Sequence, residues 1–128
     1  KEKVAVLRIP FVWGKGSPRL QEVIKGCQIG RMSVYEDFFS NHVSDLQIAQ
    51  FIQWVVTEKK CGIFHVGSAD VIRYRSFIEQ LIGELNLRQP EFISQIVPGT
   101  MAVLSERNDI PSSLKWSNRQ IVQYLGER

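Results

Sequence analysis

Little in this sequence ties it to a metal, a membrane or a nucleic acid. Its 128 residues include only two cysteines, Cys27 and Cys61, and two histidines, His42 and His65. Cysteines this far apart make neither a disulfide framework nor a zinc site, which needs three or four ligands, so a reducing, cytoplasmic setting is expected. No apolar stretch approaches the roughly 20 residues of a membrane span, and no secretory leader is visible. Lysine and arginine never run beyond two in a row and the net charge is only +3. The basic stripe of a nucleic-acid face is therefore missing. There is no internal repeat and no low-complexity tract.

What is present is an ordinary globular composition, 44% hydrophobic and 23% charged, enough for one domain or one lobe of a larger one. Val4 to Ile9 is a nearly continuous β-rich run, the pattern of a strand covered on both faces of a parallel sheet. Ser17-Pro18 then starts a helix through Leu20, Val23, Ile24 and Cys27, ending at Gly30. Met32 to Tyr35 reads as a short strand. Ser44 or Asp45 caps a helix whose Ile48, Phe51, Ile52 and Val55 form one apolar stripe. Residues 62–67, GIFHVG, make a third strand. A helix covers about Arg73 to Leu87, with Ser76 and Glu79 spaced as a capping box. Phe92 to Val97 is extended, 98–113 irregular, and Ser117 caps a last helix, Asn118 to Leu125. This alternation predicts an α/β fold with a small, partly parallel sheet. The chain also opens at Lys1 almost directly in a strand, which suggests a piece of something larger.

The turn after the first strand, Gly14-Lys15-Gly16-Ser17, has the look of a phosphate cradle but not the spacing of one. A P-loop places Lys-Ser or Lys-Thr after its second glycine, and a dinucleotide loop needs a third glycine where Arg19 stands. A glycine turn between strand and helix is the plainer reading. His42 with Asp45, and Cys61 with His65, are lone pairs rather than ligand sets; His65 reads as a hydrogen-bonded structural histidine and Cys27 as a small core residue. No nucleophile elbow is present. Tyr124 and Arg128 have the spacing of a reductase Tyr–Lys pair, but arginine does not readily become neutral. The more suggestive group is Phe11, Trp13, Lys15 and Arg19. These follow the carboxyl end of a parallel strand, where open α/β sheets bind ligands. They can equally be core and solvated surface.

In order, VLRIPFVWG, NHVSDLQIAQFI, GIFHVGSADVIRYRSFIEQLIGEL and PSSLKWSNRQIVQYLG resemble the C-terminal part of an extended short-chain dehydrogenase/reductase. The subgroup they resemble is the dTDP-4-dehydrorhamnose reductase-like (RmlD-like) one, which also includes a regulatory subunit of methionine adenosyltransferase. The strand ending in Arg and a Val-Tyr-Gly turn is matched by Arg8, Val12, Trp13 and Gly14. The hVxDlA helix start is matched by His42, Val43, Asp45, Leu46 and Ala49 with one residue inserted. Gly62, Phe64 and His65 match a G-x-[YF]-H strand, and Tyr74 and Phe77 a Y-x-x-F helix. The similarity runs over nearly the whole chain. Two departures stand out: Ile110-Pro111 replaces an Arg-Pro, with Arg107 three residues earlier as the nearest substitute, and Phe11 replaces a Trp or Asn.

This resemblance implies that residues 1–16 are the last part of a Rossmann-like domain and 17–128 a substrate-binding lobe. It places Ile9 and Pro10 beside the nicotinamide of NAD(P), and Phe11, Trp13, Lys15, Asn41, His42 and Arg107 around a sugar-like substrate. The Gly-rich loop and the Tyr-x-x-x-Lys pair that do the chemistry in such enzymes would lie upstream of Lys1, so the chain alone is expected to be inert, to need a missing N-terminal Rossmann portion, and to self-associate through an apolar edge, as a homo-oligomer. The competing expectation is a non-catalytic regulatory or interaction module with the same fold.

Overall fold

Three serines start three of the four helices by the same chemistry. In the computed structural model, which describes residues 4–127, Ser17 Oγ accepts from Leu20 N, Ser44 Oγ from Gln47 N and Ser117 Oγ from Gln120 N. Each satisfies an N–H that a helix end otherwise orphans. They begin α1 (Pro18–Ile29), α2 (Asp45–Thr57) and α4 (Asn118–Gly126). Gly30 closes α1 in the left-handed conformation, φ 99°. The third helix, α3 (Tyr74–Glu84), has Arg73 at its cap and no side-chain cap bond. The capping box expected at Ser76 and Glu79 is therefore not formed; the reciprocal pair is Ser117 with Gln120, whose Oε1 accepts from Ser117 N. Ser44, and not Asp45, caps α2.

The strands form three small sheets. β1 (Ala5–Arg8) pairs parallel with β5 (Gly62–His65), and β2 (Phe11–Trp13) pairs parallel with β4 (His42–Ser44). The third sheet has the order β6-β3-β7, with β3 (Arg31–Ser40) antiparallel to β6 (Ile72–Arg73) and parallel to β7 (Glu91–Met101). The expected α/β class with a partly parallel sheet is present. Two strands are longer than their patterns suggested: β3 runs to Ser40 and β7 to Met101. Along β3 the alternation breaks at Asp37, φ 54°, opposite a register shift that takes in Pro98 on β7. A proline fits there because β7 is an edge strand, with only one neighbour to bond.

Two cores result. The larger joins α1, α3 and α4 to β2 through Trp13, Leu20, Val23, Phe77, Leu81 and Ile121, all buried, with Cys27 among them. Burial pushes the Cys27 thiol pKa up, as for an inert core thiol. The smaller lies between α2 and the β1–β5 pair: Phe51 and Val55 of α2 meet Ala5, Leu7 and Phe64, with Val66 and Ile110 closing one end. Ile52, expected inward, is half exposed; the inward positions of α2 are Gln47, Phe51 and Val55. On the opposite face of β1–β5 the register partners Val6 and Ile63 are 45% and 49% exposed, beside the segment that bonds His65 through Leu104 O.

Candidate functional site

The turn after β2 is a helix start and nothing more. Ser17 N donates to Gly14 O, and Gly14 N donates to the same Ser17 hydroxyl that caps α1. A Cβ on Gly14 would stand 2.5 Å from Asp45 Oδ2, so close approach to α2 explains that glycine. With the Ser17 hydroxyl and the Gly14 and Ser17 amides bonded to one another and to α1, the turn serves as the start of that helix.

Parallel pairing of β2 with β4 sets Phe11 opposite His42 and Trp13 opposite Ser44. Trp13 Nε1 donates to His42 Nδ1 at 3.0 Å. An indole N–H can only donate, so the imidazole proton is on Nε2, 3.1 Å from Ser40 Oγ, which accepts it. His42 is fully buried, with Phe77 stacked on it at 3.8 Å between centroids. Burial first, and the positive charge of Arg19 second, lower its pKa to about 3. His42 is thus a neutral link in the interior and no acid–base group. Asn41, also fully buried, spends both ends of its amide on Ser68 O, Val103 O and Val103 N. These residues, with Trp13, hold the lobe together and present no free atom to a ligand. Trp13, Asn41 and His42, expected around a substrate, thus lie in the interior.

The other expected residues are dispersed. Lys15 leans toward Glu127, 3.8 Å, and lies over the Tyr124 ring. Tyr124 itself donates to Asp45 Oδ1 at 2.8 Å; burial, then that carboxylate, raise its pKa to about 12. Arg128 lies outside the described residues. Arg107 sits over Phe64 of β5, clasped in two bonds by Asp109. His65 is hydrogen-bonded to Leu104 O at 3.0 Å. Pro10 is buried against Gly67, where a Cβ would come within 2.9 Å of its ring, while Ile9 is exposed.

Phe11, Trp13 and Arg19 remain together, and the fold adds partners to them. Phe11 meets Tyr74 edge-on at 5.5 Å and Phe38 at 6.3 Å; Tyr35 lies 5.2 Å from Tyr74 and 5.5 Å from Phe38. The Arg19 guanidinium covers Phe11 at 4.7 Å and Trp13 at 5.7 Å, and no ion pair engages it among the described residues. A small hollow of about 80 Å³ opens beside it between Tyr74, Glu22, Met32 and Ser33. Burial raises the Tyr74 pKa, and Arg19 opposes that rise. The result is an aromatic basin with one cation outside any ion pair among the described residues, begun by Phe11 three residues past the carboxyl end of β1. Tyr35 and Phe38 escaped the sequence pattern because the irregularity at Asp37 re-aims the strand between them. No group of side chains among the described residues could hold a metal ion.

No family model matches the sequence, and no curated protein does. Solved structures do. A dTDP-4-dehydrorhamnose reductase from Bacillus anthracis, solved in complex with NADP, superposes with a TM-score of 0.81 over 94% of this chain at 12% identity. The chain has the fold of the extended short-chain reductases. The reductase of the same name from Yersinia enterocolitica gives 0.69 over 95% at 19% identity, and the UDP-N-acetylglucosamine 4-epimerase from Bacillus cereus 0.68 over 97% at 10%. The chain spans about half the length of these structures, 45–48%. In this reductase-like fold no described helix is long and apolar enough to cross a membrane.

Proposed function

We propose that these residues are the substrate-binding portion of an NAD(P)-dependent reductase or epimerase acting on a sugar-type carbonyl. On this reading, residues 1–16 complete a Rossmann-like sheet and 17–128 form the substrate lobe. The observation that carries the reading is the bare side of the β1–β5 pair. Parallel strands are ordinarily covered on both faces and gathered in larger sheets, yet this pair is a sheet of two strands with Val6 and Ile63 about half exposed on its outer face. The aromatic basin lies beside the carboxyl ends of the same strands, where an open sheet binds its ligands. Phe11 and Tyr74 supply apolar ring surface for the C–H side of a sugar, and Arg19 supplies donors for its oxygens.

A dinucleotide would find one wall here and no more. Exposed Ile9, with the backbone leading into buried Pro10, suits the edge of a nicotinamide, which when bound supplies the hydride. The phosphate loop and the Tyr-x-x-x-Lys pair are to be sought in a preceding segment, and the 128 residues alone are inert. The test is titration of NADPH into these residues alone, followed by fluorescence. We expect no binding below about 1 mM; micromolar binding overturns the division of labour.

A further inference from the structure

The strand β7 ends its sheet and lies open along its length. Only Phe92 is half-buried in it; the rest is exposed, Ile96 at 78%, Ile93 at 45% and Val97 at 42%. Its one neighbour is β3. In a parallel ladder every second residue turns its N–H and C=O away from that neighbour. Among the described residues, Phe92 through Met101 make no backbone bond outside the β3 ladder. Such a row is a template for another strand, and proteins ordinarily blunt it with lysine, other charges or proline. Here no charged residue occurs from Phe92 to Ser105, and the one proline of the strand, Pro98, leaves Phe92–Val97 clear. A short β-forming segment without charge, proline or glycine pairs readily with its own kind.

We propose that this edge is a homodimer contact, in which β7 of one chain pairs antiparallel with β7 of a second copy about a twofold axis at Gln95. The two three-stranded sheets then become one sheet of six. Opposed residues of an antiparallel pair share a face, so this register sets Ile93 against Val97 twice and Ser94 against Ile96 twice. The exposed aliphatic side chains cover one another, and the two Gln95 amides, each with donors and an acceptor, meet at the centre. Like charges are kept apart, because Glu91 falls beyond either end of the paired segment. A charged peptide finds nothing along the strand to select it. The paired segment is short, which places the contact among interfaces under about 1,200 Å², and a Kd of about 10–500 μM is expected. It is independent of the sugar-lobe reading, since none of Phe92–Val97 belongs to the basin around Phe11.

The experiment is sedimentation velocity over about 10 μM to 1 mM, in the chain carrying Val6→Ser and Ile63→Ser so that the outer face of β1–β5 does not contribute. Gln95→Lys and Gln95→Glu each set two like charges against one another across the axis, and each weakens the dimer about tenfold or more. An equimolar mixture of the two variants restores it to within about threefold of the parent, because opposite charges then face each other. Position 95 is exposed on an edge, so both variants melt with the parent. Thr100→Lys, beyond Pro98, adds the same charge and leaves the dimer as it was. The proposal is overturned if the parent stays monomeric up to about 1 mM, which would give the edge to a strand of another protein. It is equally overturned if Gln95→Lys dimerises as the parent does, or if the mixture fails to restore the dimer.

Discussion

The two cores of this molecule are built to different standards of closure. Around Trp13, three helices and the β2–β4 pair surround the apolar side chains, and eleven buried residues form one cluster. Around Phe64, a single helix covers one side of two strands, and six buried residues suffice. The first core is finished within these residues. The second is covered by α2 on one side and leaves Val6 and Ile63 about half exposed on the other. Stability should therefore concentrate in the first and sensitivity to partners in the second.

The sharpest way to break this contrast is Trp13→Ala. Loss of a fully buried indole costs about 3–5 kcal/mol, and the stranded His42 Nδ1 adds about 1–3 more. Denaturant titration should find the chain unfolded or close to it; a loss below about 2 kcal/mol would mean the closed core is not closed. Acid probes the same core through His42. Its folded pKa, about 3, lies below the 6.5 of a free imidazole. The neutral form is favoured in the fold, so stability is complete above pH 6.5 and drains as pH falls toward 3. At about 1.4 kcal/mol per unit the full shift amounts to roughly 4–5 kcal/mol. In His42→Phe the slope of stability against pH between 6.5 and 4 should flatten.

The open core predicts much less. Val6→Ser with Ile63→Ser should change the stability of the chain by under about 1 kcal/mol while lowering its self-association in sedimentation, because both side chains face outward. A loss like that of Trp13→Ala would show that the bare face is covered after all. Of similar size is the tie between the halves. Tyr124 of α4 donates to Asp45 of α2, and Tyr124→Phe should cost about 0.5–1.5 kcal/mol. A double-mutant cycle with Asp45→Asn would show whether the two cores unfold together.

Much of the scaffold was legible because its signals are local. Ser17-Pro18, Ser44 and Ser117 start helices through bonds to residues three positions on, and Gly30 ends one. Where the determining contact is remote, the pattern misled. For His42 the deciding contact is Trp13, 29 residues away, which only β2–β4 pairing brings to it. β3 looked short because Glu36 and Asp37 interrupt its apolar run, yet it continues by bonding β6 and β7 on its two sides. β7 hid behind Pro98 and Gly99, which an edge strand tolerates. Of the candidate site, Phe11 and Arg19 could be placed together from their positions after the first strand. Tyr35 and Phe38 could not, since only the fold carries them to Tyr74.

The bond between Trp13 and His42 also makes the closed core report on itself by light. Of the three indoles, Trp13 alone is fully shielded from solvent, while Trp54 and Trp116 are partly accessible. A soluble quencher should therefore dim two emitters and spare the third. The spared, blue-shifted emission comes from a ring whose N–H rests on a neutral imidazole, so a charge arriving on that imidazole would darken it at once. Fading of that one component in acid would mark the proton's entry into the interior, and its timing against the loss of helix would tell whether the proton opens the core or follows the opening.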